Sequence, residues 1–237
     1  MLYNYAVTLC ESVGYKGLGT VEFLVDKNEK IYFMEVNPRV QVEHTITEEL
    51  TGIDLVRSQI NVFCGLSIQD QNLTEVNIIG NRASIQARLN MESYDDKIQL
   101  VPTTGTIKEY DIASGPGIRV DGAGKVGFKN SGLYDSLLAK VIATSDFGLR
   151  EAVRKLKFTL RMSNISGIET NKNLIIEVLN QENIENGSVN ISSIDMKIES
   201  YLQKLRTNSQ QIAIEDKTSE VSHDPQNDSP LSENVIQ

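Results

Sequence analysis

The sequence predicts an α+β protein whose strands are mostly antiparallel. Three observations carry that prediction. Alternating apolar runs follow one another across short turn-like connections, helical periodicity appears at both ends, and the composition becomes polar and acidic from Arg206. With 237 residues and a hydrophobic fraction of 40%, the chain can bury a core and form one large or two small domains.

Charge and composition exclude several classes of protein. The formal net charge of -9 argues against a nucleic-acid partner, and no apolar run reaches the roughly 18 residues of a membrane span. The start lacks the basic and apolar regions of a signal peptide. Cys10 and Cys64 lie in apolar helical patterns and are interpreted as packed thiols, while two scattered histidines do not form a zinc site. We therefore expect a soluble cytoplasmic protein.

The first elements are a helix and a hairpin. Apolar residues at helical spacing predict a helix over 2–13, and strands are expected over 20–25 and 30–37 on either side of a polar turn. The hairpin would bring Glu22 opposite Glu35 and Asn37. Two carboxylates and an amide oxygen are ligands that Mg²⁺ accepts together with substrate phosphates. Alternatively, Glu22 is an ordinary cross-strand surface residue.

A polar stripe follows the second strand. In an extended chain, successive side chains point to opposite faces, so alternate residues share a face. The polar set is Glu35, Asn37, Arg39, Gln41 and Glu43. The apolar set, expected to face a core, is Met34, Val36, Pro38, Val40 and Val42. Carboxylates, amides and a guanidinium on one face are suited to holding a cation beside an oxyanion, although a half-exposed strand would show the same alternation.

The remaining chain alternates strands, turns and amphipathic helices. Arg119 lies in the strand that follows a Gly/Pro turn, where it is either a surface residue or a functional cation. Asp54, Asp146 and Thr170 are candidate helix N-caps. The predicted helices cover 47–52, 55–64, 147–162, 171–180 and 193–205. The predicted strands cover 82–90, 106–112, 118–121 and 137–144, the last of which is continuously apolar except for Lys140.

Several segments resemble biotin carboxylases, the ATP-grasp component of biotin-dependent carboxylases. The string EVNPRVQVEHTITEELTG, which begins at Glu35, carries the resemblance most specifically. GYKGLGTVEFL, ASIQARLN, PTTGTI, SGPGIRVD, YDSLLAKVIA and GIETNKNLI also match, in the family's order. The resemblance implies the C-terminal half of an ATP-grasp domain over 1–65, the biotin carboxylase C-terminal domain over 66–205, and a disordered linker over 206–237.

The resemblance also implies an activity. In that family, Mg-ATP phosphorylates bicarbonate to carboxyphosphate, and the carboxyl group then passes to N1 of biotin on a carrier domain. The metal positions, for Mg²⁺ or Mn²⁺, would be Glu22, Glu35 and Asn37. The bicarbonate positions would be Arg39, Gln41 and the backbone of Val42. Glu43 would be the general base, and Arg119 would stabilise the biotin enolate.

Those residue types suit those roles. A carboxylate can remove the proton that makes bicarbonate a poor nucleophile. A guanidinium binds a planar oxyanion through two parallel hydrogen bonds. Negative charge that develops on the ureido oxygen of biotin needs a fixed cation nearby, and phosphoryl transfer needs a divalent metal on the phosphates.

The sequence departs from the family in one large respect. The family's catalytic unit is longer and begins with a Rossmann-like domain, followed by a glycine-rich lid and nucleotide-clamping lysines, none of which is present. We expect the isolated chain to be inactive. Its expected partners are the missing N-terminal half, a biotin carrier domain, a carboxyltransferase and, in the full enzyme, a second copy as a homodimer.

Two other functions remain open. The chain could be a non-catalytic dimerisation or interaction module that binds a full-length partner. It could also belong to another ATP-grasp ligase, such as a relative of carbamoyl-phosphate synthetase, although SGPGIRVD and YDSLLAKVIA favour biotin carboxylase. These residues do not choose among pyruvate, acyl-CoA and urea as the final acceptor.

Overall fold

The computed structural model describes residues 1–74, 78, 80–95 and 99–220, and its mixture of helices and antiparallel strands confirms the α+β class. The helices are α1 (Leu2–Ser12), α2 (His44–Thr51), α3 (Leu55–Phe63), α4 (Leu149–Met162), α5 (Lys172–Val178), α6 (Glu182–Glu185) and α7 (Ile191–Glu220). The strands are β1 (Thr20–Val25), β2 (Ile31–Asn37), β3 (Ala83–Asn90), β4 (Glu92–Tyr94), β5 (Leu100–Pro102), β6 (Gly105–Thr106), β7 (Glu109–Asp111), β8 (Ile118–Gly122), β9 (Lys129–Asn130), β10 (Leu137–Ser145) and β11 (Asn164–Ser166).

The predicted hairpin is confirmed. Strands β1 and β2 pair antiparallel, with Glu22 opposite Glu35, and the register shifts after Glu22. The turn is held by the Asp26 carboxylate, which accepts hydrogen bonds from the backbone N–H groups of Asn28 and Lys30. Helix α1 packs against this hairpin through the rings of Tyr5 and Phe23, whose centroids lie 6.5 Å apart.

The central sheet has the strand order β3-β10-β8, with every pair antiparallel. One face is apolar and packs on α4. Its buried cluster consists of Ala87, Leu89, Val141, Ala143, Val153, Leu156, Leu160, Leu179 and Ile184. At roughly 1.5–3 kcal/mol for each large apolar side chain removed from water, this cluster is the main source of stability in the described chain.

The opposite face of the same sheet is polar. Because residues paired across neighbouring strands share a face, the register places Arg88, Lys140 and Asp121 side by side. Helix α2 lies against this face, where the Thr45 hydroxyl donates to the Gln86 side chain. Thr45 is fully buried. One sheet thus supplies a hydrophobic core on one side and a charged wall on the other.

Several element boundaries differ from the sequence predictions. Helix α2 begins at His44 rather than at residue 47. The strand predicted over 106–112 divides, because β6 pairs with β9 whereas β7 pairs with β11. The Asp54 cap is confirmed, since its side chain accepts a hydrogen bond from the Arg57 backbone N–H.

Two other predicted caps differ. Helix α4 begins after Gly148, while Asp146 forms an ion pair with Arg82 instead of capping the helix. Asn171 is the N-cap of α5 in place of Thr170. The last helix continues through Glu220, well past the predicted end, so the first part of the expected linker is helical. Residues 221–237 lie outside the described residues.

Both cysteines and one of the two histidines, His44, lie in the described part of the chain. Both cysteines are free. Cys10 is partly buried, but Cys64 is exposed, so the prediction that both thiols are packed is wrong for Cys64. Within the described ranges, no group of three or more His, Cys, Asp or Glu side chains converges. No helix in the same ranges is long and apolar enough to cross a membrane.

Candidate active site

The polar stripe is not one continuous strand. Strand β2 ends at Asn37, and Pro38 has no N–H group to continue a ladder. The Arg39 N–H turns back to the Asn37 carbonyl at 2.9 Å, and the His44 N–H donates to the Gln41 carbonyl at 3.2 Å. The chain therefore curls after Asn37 and enters α2 directly after Glu43.

The apolar side chains that alternate with the stripe do not face a core. Met34 is 51% exposed, and Val36 and Val40 are 37% and 36% exposed. The prediction that this set is buried is wrong for the described chain. Among the described residues, this sheet consists of β1 and β2, so no third strand covers these side chains.

Two carboxylates and one amide meet at the base of the hairpin. The Asn37 side-chain amide donates to Glu22 Oε1 at 2.8 Å and to Glu35 Oε1 at 3.0 Å. Gln41 Nε2 also lies 3.3 Å from Glu22 Oε1. The bulge beside Glu22 changes the direction of the strand here. Rotation of the Asn37 amide would present three oxygens to a cation, so this donor set fits a hard divalent metal ion.

Arg39, Gln41 and Glu43 line one cavity of about 380 Å³. Gly19 and His44 contribute to its wall. The cavity thus places a guanidinium, a carboxamide and a carboxylate around a space large enough for a small anion. The three residues meet because of the turn after Asn37, since a straight strand would have spread them along its length.

Arg88 is a candidate that the sequence analysis missed. Its Nε donates to Glu43 Oε1 at 2.7 Å, and its terminal nitrogen forms a second contact with the same oxygen. The alternation in ASIQARLN did place Arg88 on the polar side of a strand. Nothing in the sequence linked that strand to Glu43, because the contact joins residues 45 positions apart.

Lys140 supplies a second link from the sheet to the stripe. It is only 8% exposed, and its Nζ donates to the Val42 carbonyl at 3.2 Å. The same Nζ lies 3.5 Å from Asp121 Oδ2. Lys140 therefore connects the sheet to the peptide that joins Val42 to Glu43.

Arg119 is held by carboxylates of β8 and α2. Its guanidinium donates to Asp121 through Nε and Nη2, both at 2.9 Å, and to Glu48 through Nη1 at 2.8 Å. Hydrogen bonds from Arg119 hold the pKa of Asp121 below its usual value. Those same carboxylates, Asp121 first, raise the pKa of Arg119. It lines a neighbouring cavity of about 740 Å³ with His44. Within the described part of the chain, its ion pairs are with Asp121, Glu48 and Glu49 and not with residues 35–43.

Two protein families match this chain. Residues 86–196 match the family described as biotin carboxylase C-terminal domain. Residues 1–71 match the family described as carbamoyl-phosphate synthase L chain, ATP binding domain. The second match alone would fit several ATP-grasp ligases, and the first favours a biotin carboxylase among them.

Curated relatives include pyruvate carboxylases. The chain is 43% identical over 195 residues to mitochondrial pyruvate carboxylase of Mus musculus and 40% identical over 191 residues to pyruvate carboxylase 1 of Caenorhabditis elegans. These matches cover 82% and 80% of this chain but 16% of each relative. The chain thus spans a small part of the relatives' length.

Solved structures show the same fold. A single-chain, multi-domain long-chain acyl-CoA carboxylase is 40% identical with a TM-score of 0.75, covering 81% of this chain and 20% of that one. The biotin carboxylase domain of a thermophilic 2-oxoglutarate carboxylase, bound to bicarbonate, is 32% identical with a TM-score of 0.71, covering 81% of this chain and 43% of that one. The two pyruvate carboxylases, the acyl-CoA carboxylase and the 2-oxoglutarate carboxylase each match about four fifths of this chain.

Proposed function

This chain corresponds to the C-terminal portion of a biotin carboxylase, and on that premise we propose that it supplies the bicarbonate-activating part of a larger ATP-dependent carboxylase. One observation carries the proposal: Arg39, Gln41 and Glu43 surround a single cavity. Arg39 and Gln41, with the Val42 backbone, would bind bicarbonate. Glu43 would remove its proton, as a general base must lie within hydrogen-bond reach of the proton that it takes.

The metal positions follow from the hairpin. Glu22, Glu35 and Asn37 would hold Mg²⁺ or Mn²⁺ against the phosphates of ATP. The ion would neutralise charge on the transferring phosphoryl group. The chain's own contribution is the fixed separation of the two carboxylates, which the cross-strand pair and the shared amide set before any ligand arrives.

The role that the resemblance gives Arg119 stays a prediction, and we propose Arg88 as a further cation near the carboxyl acceptor. The Arg88 guanidinium touches the proposed base, whereas that of Arg119 is used by Asp121 and Glu48. Once Glu43 has taken a proton, its hold on Arg88 weakens, and the guanidinium can stabilise negative charge on the ureido oxygen of biotin. Biotin would arrive on a carrier domain.

The remaining parts belong to the larger enzyme. The proposed partners are an N-terminal biotin carboxylase half with the ATP lid, a carrier domain, a carboxyltransferase and a second copy of the carboxylase. The structural relatives include a single-chain multi-domain enzyme and a biotin carboxylase domain dimer, which supports this assembly. The cytoplasmic location remains a prediction, since several relatives are mitochondrial enzymes.

A non-catalytic interaction module is the alternative. The exposed apolar side chains of the hairpin favour it, since Phe33 and Met34 are 55% and 51% exposed. The same exposure is expected if another part of a carboxylase covers the hairpin. The intact mass of the native protein separates the two: a mass far above 26.4 kDa with bound biotin supports the carboxylase, and a mass near 26.4 kDa supports the module.

The direct test is catalytic. In the native biotin-containing protein, ADP release should require both bicarbonate and biotin. Glu43→Gln should lower its kcat by roughly 10²–10⁴-fold, the usual range for loss of a general base. Glu11→Gln is the matched control, because Glu11 lies on α1 outside the cavity. Full ADP release by Glu43→Gln would contradict the proposed mechanism.

A further inference from the structure

We propose that Lys140 is a positioning residue that fixes the Val42–Glu43 peptide, and thereby the general base, from the polar face of the central sheet. The inference rests on the proposed function, because it concerns the same cavity. It adds a residue from a different part of the chain, since Lys140 and Val42 are 98 positions apart.

The first argument is the cost of placing a lysine here. Lysine is almost never fully buried unless it is paired, yet Lys140 is 8% exposed and lies between the buried apolar residues Ala139 and Val141. Burial of an ammonium group is unfavourable unless hydrogen bonds and an opposite charge compensate for it. The Val42 carbonyl and Asp121 provide both. A residue that served packing alone would be apolar, as its neighbours Ala139 and Val141 are.

The second argument is what the contact fixes. The Val42 carbonyl belongs to the peptide bond whose nitrogen is that of Glu43. A donor on that oxygen sets the orientation of the peptide plane, which is rigid. The proposed bicarbonate-binding N–H of Val42 and the carboxylate of Glu43 flank this plane. Lys140 therefore acts on both groups through the backbone.

The third argument is that Lys140 is itself held in place. Asp121 lies between Lys140 and Arg119 and contacts both. Arg119 in turn forms an ion pair with Glu48 of α2, which lies about one turn after the end of the stripe. These contacts therefore hold the backbone on both sides of Glu43, at Val42 before it and in α2 after it. This gives Arg119 a structural reason for its position.

The test uses the native biotin-containing carboxylase that includes this sequence. Lys140→Met keeps an unbranched side chain that is one atom shorter and removes the donor. A hydrogen bond from a charged group contributes about 1.5–3 kcal/mol, so kcat for bicarbonate-dependent ADP release should fall about 10- to 100-fold. Binding of ¹³C-bicarbonate, followed by NMR line broadening, should weaken, while the KM for ATP should change less than about twofold. Lys140→Arg should restore part of the rate.

Lys155→Met is the matched control. Lys155 also donates to main-chain carbonyl oxygens, those of Thr144 at 3.1 Å and Pro116 at 3.4 Å, but these lie away from the stripe. Its kcat and bicarbonate binding should stay near wild type. Equal losses in Lys140→Met and Lys155→Met would overturn the inference, because the effect would then reflect general loosening of the sheet.

The remaining outcomes are also decisive. If folded Lys140→Met has the wild-type rate and binds bicarbonate like the wild type, the inference about Lys140 is overturned but the proposed function is not. If the wild type shows no bicarbonate-dependent ADP release, the proposed function itself is overturned. If Lys140→Met does not fold, Asp121→Asn decides. This substitution keeps Lys140 but removes the negative charge that faces its Nζ. A kcat lowered at least about threefold supports the inference, and an unchanged kcat overturns it.

Discussion

Replacement of Arg88 by methionine should separate catalysis from stability. The Arg88–Glu43 pair is bonded at 2.7 Å, but its side chains are 47% and 44% exposed. Ion pairs this exposed contribute about 0.2–1 kcal/mol to folding, so Arg88→Met should lower the free energy of unfolding by no more than that. The loss in rate should be much larger, because a fixed cation beside developing negative charge contributes about 2.7–4 kcal/mol, or 10²–10³-fold in kcat.

The assay is biotin-dependent ADP release by the native carboxylase, with the free energy of unfolding measured in urea on the same preparations. Arg150→Met is the control. Arg150 Nε binds Glu185 at 3.0 Å, a pair of the same type in the same domain that lies far from the stripe. It should leave kcat unchanged. The reasoning is refuted if Arg88→Met keeps more than about a third of the wild-type kcat, or if Arg150→Met loses as much.

Three further predictions concern stability and the metal. Leu156→Ala, at a fully buried core position, should lower the free energy of unfolding by about 3–5 kcal/mol in urea, whereas Leu66→Ala, at a 45% exposed position, should lower it by less than about 1 kcal/mol. Because Arg119 lowers the pKa of Asp121, that carboxylate stabilises the fold at neutral pH, and the contribution disappears below about pH 4. Asp121→Asn should therefore have a lower free energy of unfolding than the wild type at pH 7. Between pH 7 and acid, its free energy of unfolding should fall less than that of the wild type. Glu22→Gln should raise the Mg²⁺ concentration for half-maximal rate about tenfold or more, and an unchanged value would exclude Glu22 as a ligand.

Local patterns in the sequence predicted local structure well. The β1–β2 hairpin, the Asp54 cap and the buried strand β10 were all predictable, because alternation, turn residues and caps act over a few neighbouring positions. The turn after Asn37 was harder to predict from the sequence, because the alternation of polar and apolar residues continues through Pro38 although the strand ends at Asn37.

Contacts between distant segments could not be predicted from periodicity. The resemblance to a family supplied the general chemistry and a role for Arg119 that stays a prediction, but it did not indicate the contact between Arg88 and Glu43. Both arginines lie in strands on the same polar face. Only the register between β3, β10 and β8 shows that Arg88 and Lys140 are opposite each other while Arg119 is two positions further along.

The two faces of the central sheet explain how charged residues beside the candidate site can belong to a stable domain. Side chains alternate between the faces of β3, so Ala87 and Leu89 enter the core while Gln86 and Arg88 reach α2 and the stripe. Arg88 and Lys140 contact the stripe, and Arg119 contacts α2. Asp121 contacts Arg119 and Lys140 within the sheet. These contacts offset the cost of desolvating the charged groups. A shift of β3 by one residue would expose its core side chains and bury its charged ones at once. The hydrophobic core therefore fixes the register that places Arg88 and Lys140, and substitutions that loosen this core should lower activity before the protein unfolds.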